Sequence, residues 1–264
     1  MHVDVLTLFP GMVAGMLEYS ILKRARDAGF LSVDVHNLRD FTHDRHHVVD
    51  DYPFGGGNGM VLKPEPVFEA VEATRSPGQP VILMAPTGEP FTQAVAAELA
   101  RLDAMLLVCG HYEGFDERIH KHLADRELSI GDYVLTGGEL PAMVILDAVA
   151  RLIPGVLSEG SADDDSFSTG VLEYPQYTRP AVFRGWRVPG VLTSGDHGAV
   201  RRWRQAQAEE RTRRRRPDLL SSGIHDSPAV PSSSGPRPND DDSGVRPHED
   251  AMPRQQSESG DMLP

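Results

Sequence analysis

The first 155 residues alternate between two hydrophobic periods, which predict a regular succession of strands and helices. Short apolar runs rich in Val, Leu and Ile predict strands, and apolar residues three to four apart predict helices. The predicted strands cover residues 2–9, 32–38, 80–85, 104–109 and 128–134. The predicted helices cover residues 12–28, 64–74, 93–102, 114–124 and 141–152. This alternation predicts an α/β domain with a mostly parallel sheet that is covered on both faces.

The pattern changes after this domain, which we place at residues 1–157. Residues 158–170 are small, polar and acidic, and they predict a flexible interdomain linker. Residues 171–220 predict a small, mainly helical C-terminal domain, with an arginine-rich helix at 196–216. Residues 221–264 contain seven Pro, nine Ser and four Gly among 44 positions, a composition that predicts a disordered tail.

Charge changes this picture in one place. The formal net charge of −13 argues against a nucleic-acid partner when it is taken as a whole. Between Arg201 and Arg216, however, there are eight arginines against two glutamates. Because salt screens charges beyond about 8–10 Å, this local basic patch can contact phosphate despite the acidic remainder.

Other features limit the class of protein. No apolar run reaches the ~20 residues that a membrane helix needs, so we expect no membrane partner and a cytoplasmic location. The single cysteine, Cys109, excludes an internal disulfide and lies in an apolar run, as expected for a buried thiol. His43, His46 and His47 lack a matching second pair of ligands, so no metal site is predicted there.

Glycines mark the candidate site. Three predicted strands each end in a Gly-containing turn, at residues 84–88, 109–114 and 130–139. In open α/β sheets ligands bind beyond the carboxyl ends of the strands, and glycine lets the backbone approach them closely. Any one turn is also compatible with a tight connection, but the three together indicate a cradle for an adenine and ribose. The Gly-rich stretch 50–60 lacks a P-loop or dinucleotide fingerprint, and it is either a surface loop or one that orders on substrate.

At these residues the sequence resembles the bacterial tRNA (guanine-N1)-methyltransferase family, a branch of the knotted SPOUT methyltransferases. The resemblance runs in order from residue 1 to about 220. Its motifs are Asp51-Tyr-Pro-Phe-Gly-Gly-Gly-Asn-Gly-Met60, Gly110-His-Tyr-Glu-Gly114, Ser129-Ile-Gly-Asp-Tyr-Val-Leu-Thr-Gly-Gly-Glu-Leu-Pro-Ala142, Arg151-Leu-Ile-Pro-Gly-Val-Leu157, Asp165-Ser-Phe167, Tyr177-Thr-Arg-Pro180 and Val191-Leu-Thr-Ser-Gly-Asp-His197.

The resemblance implies a fold and a reaction that spacing alone does not give. It implies a deep trefoil knot in the later part of the α/β domain, an exception among protein chains. It also implies a homodimer with shared active sites and S-adenosyl-L-methionine held by the three Gly turns. The substrate would be tRNA with guanine at positions 36 and 37, methylated at N1 of guanine 37. The resemblance leaves open whether the reaction also uses Mg²⁺.

Residue roles follow from the same motifs. Asp165 matches the general base, Arg151 the arginine that orients the guanine, and Glu113 the acidic residue of the cofactor loop, a candidate for Mg²⁺ or electrostatic support. The positions that match the cofactor loops are Pro86, Gly110, Tyr112, Glu113, Ile130, Gly131, Tyr133, Leu135, Gly137 and Gly138. The candidate tRNA contacts are Asp50, His197, Arg201, Arg202 and Arg204.

The implied chemistry explains these residue types. N1 of guanine carries a proton at neutral pH, so a carboxylate must remove it as the methyl group arrives. An arginine can bind O6 and offset the developing charge, and the base must leave its stack to be reached.

Alternatives remain at this point. Without the motif, Asp165 is simply a solvated acid and Arg151 a helix C-cap. Another SPOUT RNA methyltransferase and an inert RNA-binding module also stay open, whereas an NAD-linked oxidoreductase lacks its fingerprint.

Overall fold

Five parallel strands form the central sheet of the computed structural model, which describes residues 1–158, 160–161 and 165–221. The strands in chain order are β1 (His2–Thr7), β2 (Ser32–Asn37), β3 (Asp50–Asp51), β4 (Val61–Leu62), β5 (Val81–Pro90), β6 (Ala104–Cys109), β7 (Arg126–Ser129), β8 (Val182–Phe183) and β9 (Trp186–Arg187). The central sheet has the order β2-β1-β6-β5-β7, and β3-β4 and β8-β9 are two short antiparallel pairs. The predicted α/β class with a mostly parallel sheet is confirmed.

Helices cover both faces of this sheet. They are α1 (Pro10–Leu17), α2 (Ser20–Asp27), α3 (Pro64–Thr74), α4 (Gln93–Leu99), α5 (Glu117–His122), α6 (Glu139–Ala150), α7 (His197–Arg215) and α8 (Asp218–Ser221). One buried cluster joins α1, α2, α4 and α6 to alternate residues of the strands, such as Val5 and Leu107. The other joins α3 and α5 to the opposite face, through residues such as Leu6 and Leu106. The strands are apolar on both faces because both faces are covered.

The single helix predicted over residues 12–28 is wrong, because the chain breaks between α1 and α2. Tyr19 is extended, with φ −130° and ψ 158°, and Ser20 has a positive φ of 53°. The guanidinium of Arg26 donates a hydrogen bond to the Leu17 carbonyl at 2.9 Å, which satisfies an acceptor at the end of α1. Leu17 and Ile21 are both buried across the break, so helical spacing persists although the helix does not.

Two further boundaries move for local reasons. The helix predicted from residue 114 begins at Glu117, because Phe115 bridges to Leu62 and the Asp116 carboxylate caps the helix by accepting from the Arg118 amide at 2.9 Å. The strand predicted to reach residue 134 ends at Ser129, since the chain turns at Gly131, where φ is 149°.

The C-terminal segment centres on α7, close to the predicted helix 196–216. The Asp196 side chain caps α7 by accepting from the Ala199 amide, and the buried Thr212 hydroxyl accepts from the Leu172 amide at 2.9 Å. All described residues belong to one compact unit, so the division into domains 1–157 and 171–220 remains a prediction. The tail beyond residue 221 and parts of the predicted linker, residues 159 and 162–164, lie outside the described residues.

A membrane span is not found among the helices of residues 1–158 and 165–221, none of which combines the necessary length and apolar character.

Candidate active site

A cavity of about 370 Å³ lies where β5, β6 and β7 end, at the carboxyl edge of the sheet. The structure brings all the residues predicted to hold the cofactor to this cavity. These are Pro86, Gly110, Tyr112, Glu113, Ile130, Gly131, Tyr133, Leu135, Gly137 and Gly138. Convergence of three separate segments on one cavity is the arrangement expected of a ligand site in an open parallel sheet.

The first of the three segments differs from its predicted form. Residues 84–88 make a bulge inside β5, where pairing with β7 shifts between Met84 and Glu89, rather than a turn after the strand. Pro86 and Thr87 line the cavity from this bulge. A Cβ at Gly88 would lie 2.5 Å from the Leu128 amide nitrogen, so glycine is what allows β5 and β7 to approach here.

The other two segments pack backbone to backbone. The amide of Gly138 donates to the Gly110 carbonyl at 2.7 Å, and His111 bridges to Gly137. A Cβ at Gly138 would lie 2.7 Å from Cys109 Cα and 2.8 Å from the Gly110 nitrogen. At Gly138 the two main chains therefore meet directly and form a thin wall of the cavity.

A ligand with hydrogen-bonding groups fits this wall. Because glycine has no side chain, the Gly-containing segments bring main-chain amides and carbonyls to the cavity edge. Recognition of a nucleoside requires such groups. Tyr112 and Tyr133 add exposed aromatic surface against which a flat base can pack. The ring of His111 contacts Phe9 and Tyr112 at centroid distances of 5.0 and 4.9 Å, and its buried Nδ1 has no hydrogen-bond partner within the described residues.

The Gly-rich stretch 50–60 adjoins the same cavity. The Glu113 amide donates to the Met60 carbonyl at 2.9 Å, and the Glu113 carboxylate lies against Gly59. Asp50, a predicted tRNA contact, is half-buried on β3 and pairs with Leu62 of β4. The stretch is therefore part of the candidate site and not an isolated surface loop.

Arg151 and Asp165 form an ion pair. The distance between Arg151 Nη2 and Asp165 Oδ2 is 2.5 Å, and the two side chains are 42% and 39% exposed. Ser166, next in the chain, accepts from the Glu173 amide through its hydroxyl at 3.0 Å. Among the described residues, those lining the cavity all lie between Met84 and Pro141. The predicted general base, Asp165, and the predicted arginine, Arg151, therefore contact each other but do not line the cavity of their own chain.

The predicted tRNA contacts on α7 separate into two groups. His197, Arg201 and Arg202 are exposed, with His197 as the first residue of the helix. Arg204 is half-buried, and its guanidinium lies 4.7 Å from the centroid of the Tyr174 ring. Arg204 therefore contributes to packing within the C-terminal segment.

Sequence reasoning missed the β8–β9 hairpin. Phe183 and Trp186 are 55% and 71% exposed, and Arg184 lies over the Phe183 ring at 5.3 Å. Exposed aromatic rings beside arginines are the surface that unstacked bases contact. The alternation of aromatic and basic residues at 183–187 was the available signal for this hairpin, whereas the sequence pattern predicted a mainly helical domain here.

Comparison with known proteins assigns the chain to a family. Residues 1–222 match the family described as tRNA (Guanine-1)-methyltransferase TrmD. The chain belongs to this family. The resemblance inferred from the motifs is confirmed.

Individual members of the family are similar over nearly their whole length. A tRNA (guanine-N(1)-)-methyltransferase from Moorella thermoacetica is 61% identical over 227 residues, which cover 84% of this chain and 90% of the relative. Proteins of the same name from Halalkalibacterium halodurans and Dehalococcoides mccartyi are 60% and 58% identical, each over 224 residues. These cover 83% of this chain and 91% and 90% of the relatives.

Proposed function

We propose that this protein transfers a methyl group from S-adenosyl-L-methionine to N1 of guanine 37 in tRNA that has guanine at position 36. The observation that supports this most directly is the convergence of three Gly-containing segments on one cavity, in a chain of this family. A protein acting on tRNA is expected in the cytoplasm.

The cavity is the proposed cofactor site. The methyl group of S-adenosyl-L-methionine is electrophilic because it is bound to a sulfonium. The backbone at Gly110, Gly131 and Gly137 would hold the adenosine, and the Tyr112 ring would limit access of water. Glu113 is the candidate residue for Mg²⁺ or electrostatic support, because this exposed residue lies at the cavity and carboxylate oxygens are ligands that Mg²⁺ prefers.

Asp165 is the proposed general base and Arg151 its partner. The carboxylate of Asp165, which pairs with Arg151, is the group that would accept the N1 proton. Arg151 has further donors with which to bind guanine O6, where negative charge develops as the proton leaves. Both side chains are partly exposed, so a base flipped from the anticodon loop can reach them.

A trefoil knot and a two-domain chain complete the proposal for the fold. The close packing of Gly138 on Cys109 and Gly110, just beyond the end of β6, supports a knotted crossing at this edge of the sheet. The C-terminal domain would present α7 to the tRNA.

We propose a homodimer because the catalytic pair stands outside the cavity of its own chain and the protein exposes an apolar surface on α1 and α6. That surface consists of exposed side chains on α1 and α6, namely Met12, Met16, Leu140 and Val144. α6 directly follows the segment that ends at Gly138, and α1 follows Phe9, whose ring contacts His111 at the cavity. A second copy docked on this surface would supply Asp165 and Arg151 to the cavity of the first.

Complementation tests the shared site. Co-expression of an Asp165→Asn chain with a Gly138→Ala chain produces mixed dimers with one intact cavity facing one intact base. At a donor concentration too low to fill the Gly138→Ala cavity, a shared site means that the mixture regains about one quarter of the wild-type methylation rate, because half the dimers are mixed and each has one working site. A mixture as inactive as the two separate variants would mean that each chain uses its own Asp165.

The arginines of α7 give a second test through salt dependence. Replacing Arg201 or Arg202 with Gln should weaken tRNA binding and lower the slope of log K against log[salt] by about 0.7–0.9, since one phosphate contact is lost. Trp186→Ala should weaken binding with no change in slope, because stacking is not ionic. Arg24→Gln, an exposed arginine of α2, is the charge-matched control. Equal effects of Arg24→Gln and Arg201→Gln would remove α7 from the tRNA site.

Labelled methyl transfer tests the function itself. A tRNA transcript with guanine at 36 and 37 should gain N1-methylguanosine, and one with guanine 37 replaced should not. Label on a different nucleotide would make this another SPOUT enzyme. Absence of label with S-adenosyl-L-methionine still bound would indicate an inert binding module.

A further inference from the structure

A buried carboxylate lies directly behind the cavity wall. Glu139 is the first residue of α6 and only 3% exposed. Its Oε1 accepts a hydrogen bond from the hydroxyl of the fully buried Thr7 at 2.7 Å. Its Oε2 lies against Gly137, which lines the cavity, so this carboxylate stands directly behind the Gly137–Gly138 backbone, and Nδ1 of His111 lies near the same position of Gly137.

No Lys or Arg of the described residues pairs with this carboxylate. Within the described residues, Glu139 takes part in no ion pair, and its one hydrogen-bond partner is a neutral hydroxyl. The N-terminus of α6 favours a negative charge at this position. The neighbouring thiol of Cys109 is not ionised. Burial, followed by the charge of Glu139, raises its pKa well above the usual value.

A buried charge without a cation is costly unless a cation arrives from outside the chain. S-adenosyl-L-methionine, the ligand of this cavity under the proposed function, carries a positive charge on its sulfur. In methyl transfer the S–CH₃ bond breaks and the N1–CH₃ bond forms, the N1 proton passes to Asp165, and sulfur keeps the electron pair. The cofactor therefore enters as a sulfonium cation and leaves as a neutral thioether.

We infer that Glu139 is a positioning residue whose negative charge, acting through the thin Gly137–Gly138 wall, makes the cavity prefer the sulfonium over the thioether. The inference rests on the proposed function. Because the charge acts on the bound cofactor before the reaction, it favours binding of the methyl donor and release of the product, and it does not lower the barrier itself.

Glu139→Gln tests this because it removes the charge while keeping the shape and an acceptor for Thr7. Calorimetry should give a ratio of S-adenosyl-L-methionine to S-adenosylhomocysteine affinity about tenfold lower than that of the wild type, which is about 1.4 kcal/mol. Affinity for the neutral thioether should be unchanged. In methylation assays KM for the methyl donor should rise while kcat does not fall.

Two further variants separate charge from structure. Glu127→Gln makes the same change at a carboxylate beside the cavity that already has a partner, His120, at 2.7 Å, and it should keep the wild-type ratio. Glu139→Asp keeps the charge and should also keep the ratio, even if both affinities fall. Equal weakening of both ligands by Glu139→Gln, or loss of the ratio in Glu139→Asp, would overturn the inference. A wild-type protein that binds neither ligand would instead overturn the proposed function.

Discussion

Asp165→Asn should lower the single-turnover rate of methyl transfer by about 10²–10⁴-fold, the usual contribution of a positioned general base. Asparagine keeps the size of the side chain and can still accept a hydrogen bond from Arg151, but it cannot take the N1 proton. The affinity for S-adenosyl-L-methionine should stay at the wild-type value, because Asp165 is not among the residues that line the cofactor cavity and is proposed to act on the guanine. Rapid-quench assays with labelled donor and calorimetry measure the two quantities separately.

The matched control for this prediction is Asp27→Asn. Asp27 is an exposed carboxylate of α2 that pairs with Lys23 at 2.7 Å, so the same change removes an ion pair elsewhere. Its rate should equal that of the wild type, since exposed ion pairs contribute little. Retention of the wild-type rate by Asp165→Asn would assign proton removal to another group.

Gly138→Ala should raise the dissociation constant of S-adenosyl-L-methionine by at least about tenfold, or 1.4 kcal/mol. Gly138 has an ordinary φ of −82°, so the cause is space and not backbone conformation. The added methyl group would meet Cys109 Cα and the Gly110 nitrogen, which are main-chain atoms that cannot rotate away. The wall must widen, and we expect a loss of about 1–3 kcal/mol in the free energy of unfolding as well.

Gly190→Ala is the control for the added methyl group. Gly190 has open space around its Cα and no positive φ, so its free energy of unfolding should change by less than about 0.5 kcal/mol. Calorimetric titration with the methyl donor and chemical denaturation compare the two variants. Unaltered cofactor binding by Gly138→Ala would place the ligand away from this wall.

The strands and the cavity could be predicted from the sequence because their signals are local. Apolar runs such as residues 104–109 identify a doubly covered strand directly, and glycines at strand ends identify the segments that converge. The break before Ser20 could not be predicted, because apolar spacing continues through it and an arginine nine residues beyond Leu17 stabilises it. Glu139 was equally hidden, since its partner Thr7 lies 132 residues earlier in the chain.

Active-site geometry was predictable only in part. The family motifs predicted that Arg151 and Asp165 act together in catalysis. Their spacing along the sequence could not indicate that both lie outside the cavity of their own chain. The separation of Arg204 from Arg201 and Arg202 also needed the structure, because Tyr174, which lies thirty residues away, is what holds Arg204.

The strand order has a consequence for synthesis on the ribosome. β1 lies between β2 and β6, so one of its edges pairs soon after translation begins, and the other waits until residues 104–108 emerge. At ~5–20 residues per second, the roughly one hundred residues between β1 and β6 take roughly 5–20 s to translate. During that interval an apolar strand edge remains open on the nascent chain, which makes this stage a natural point for chaperone binding.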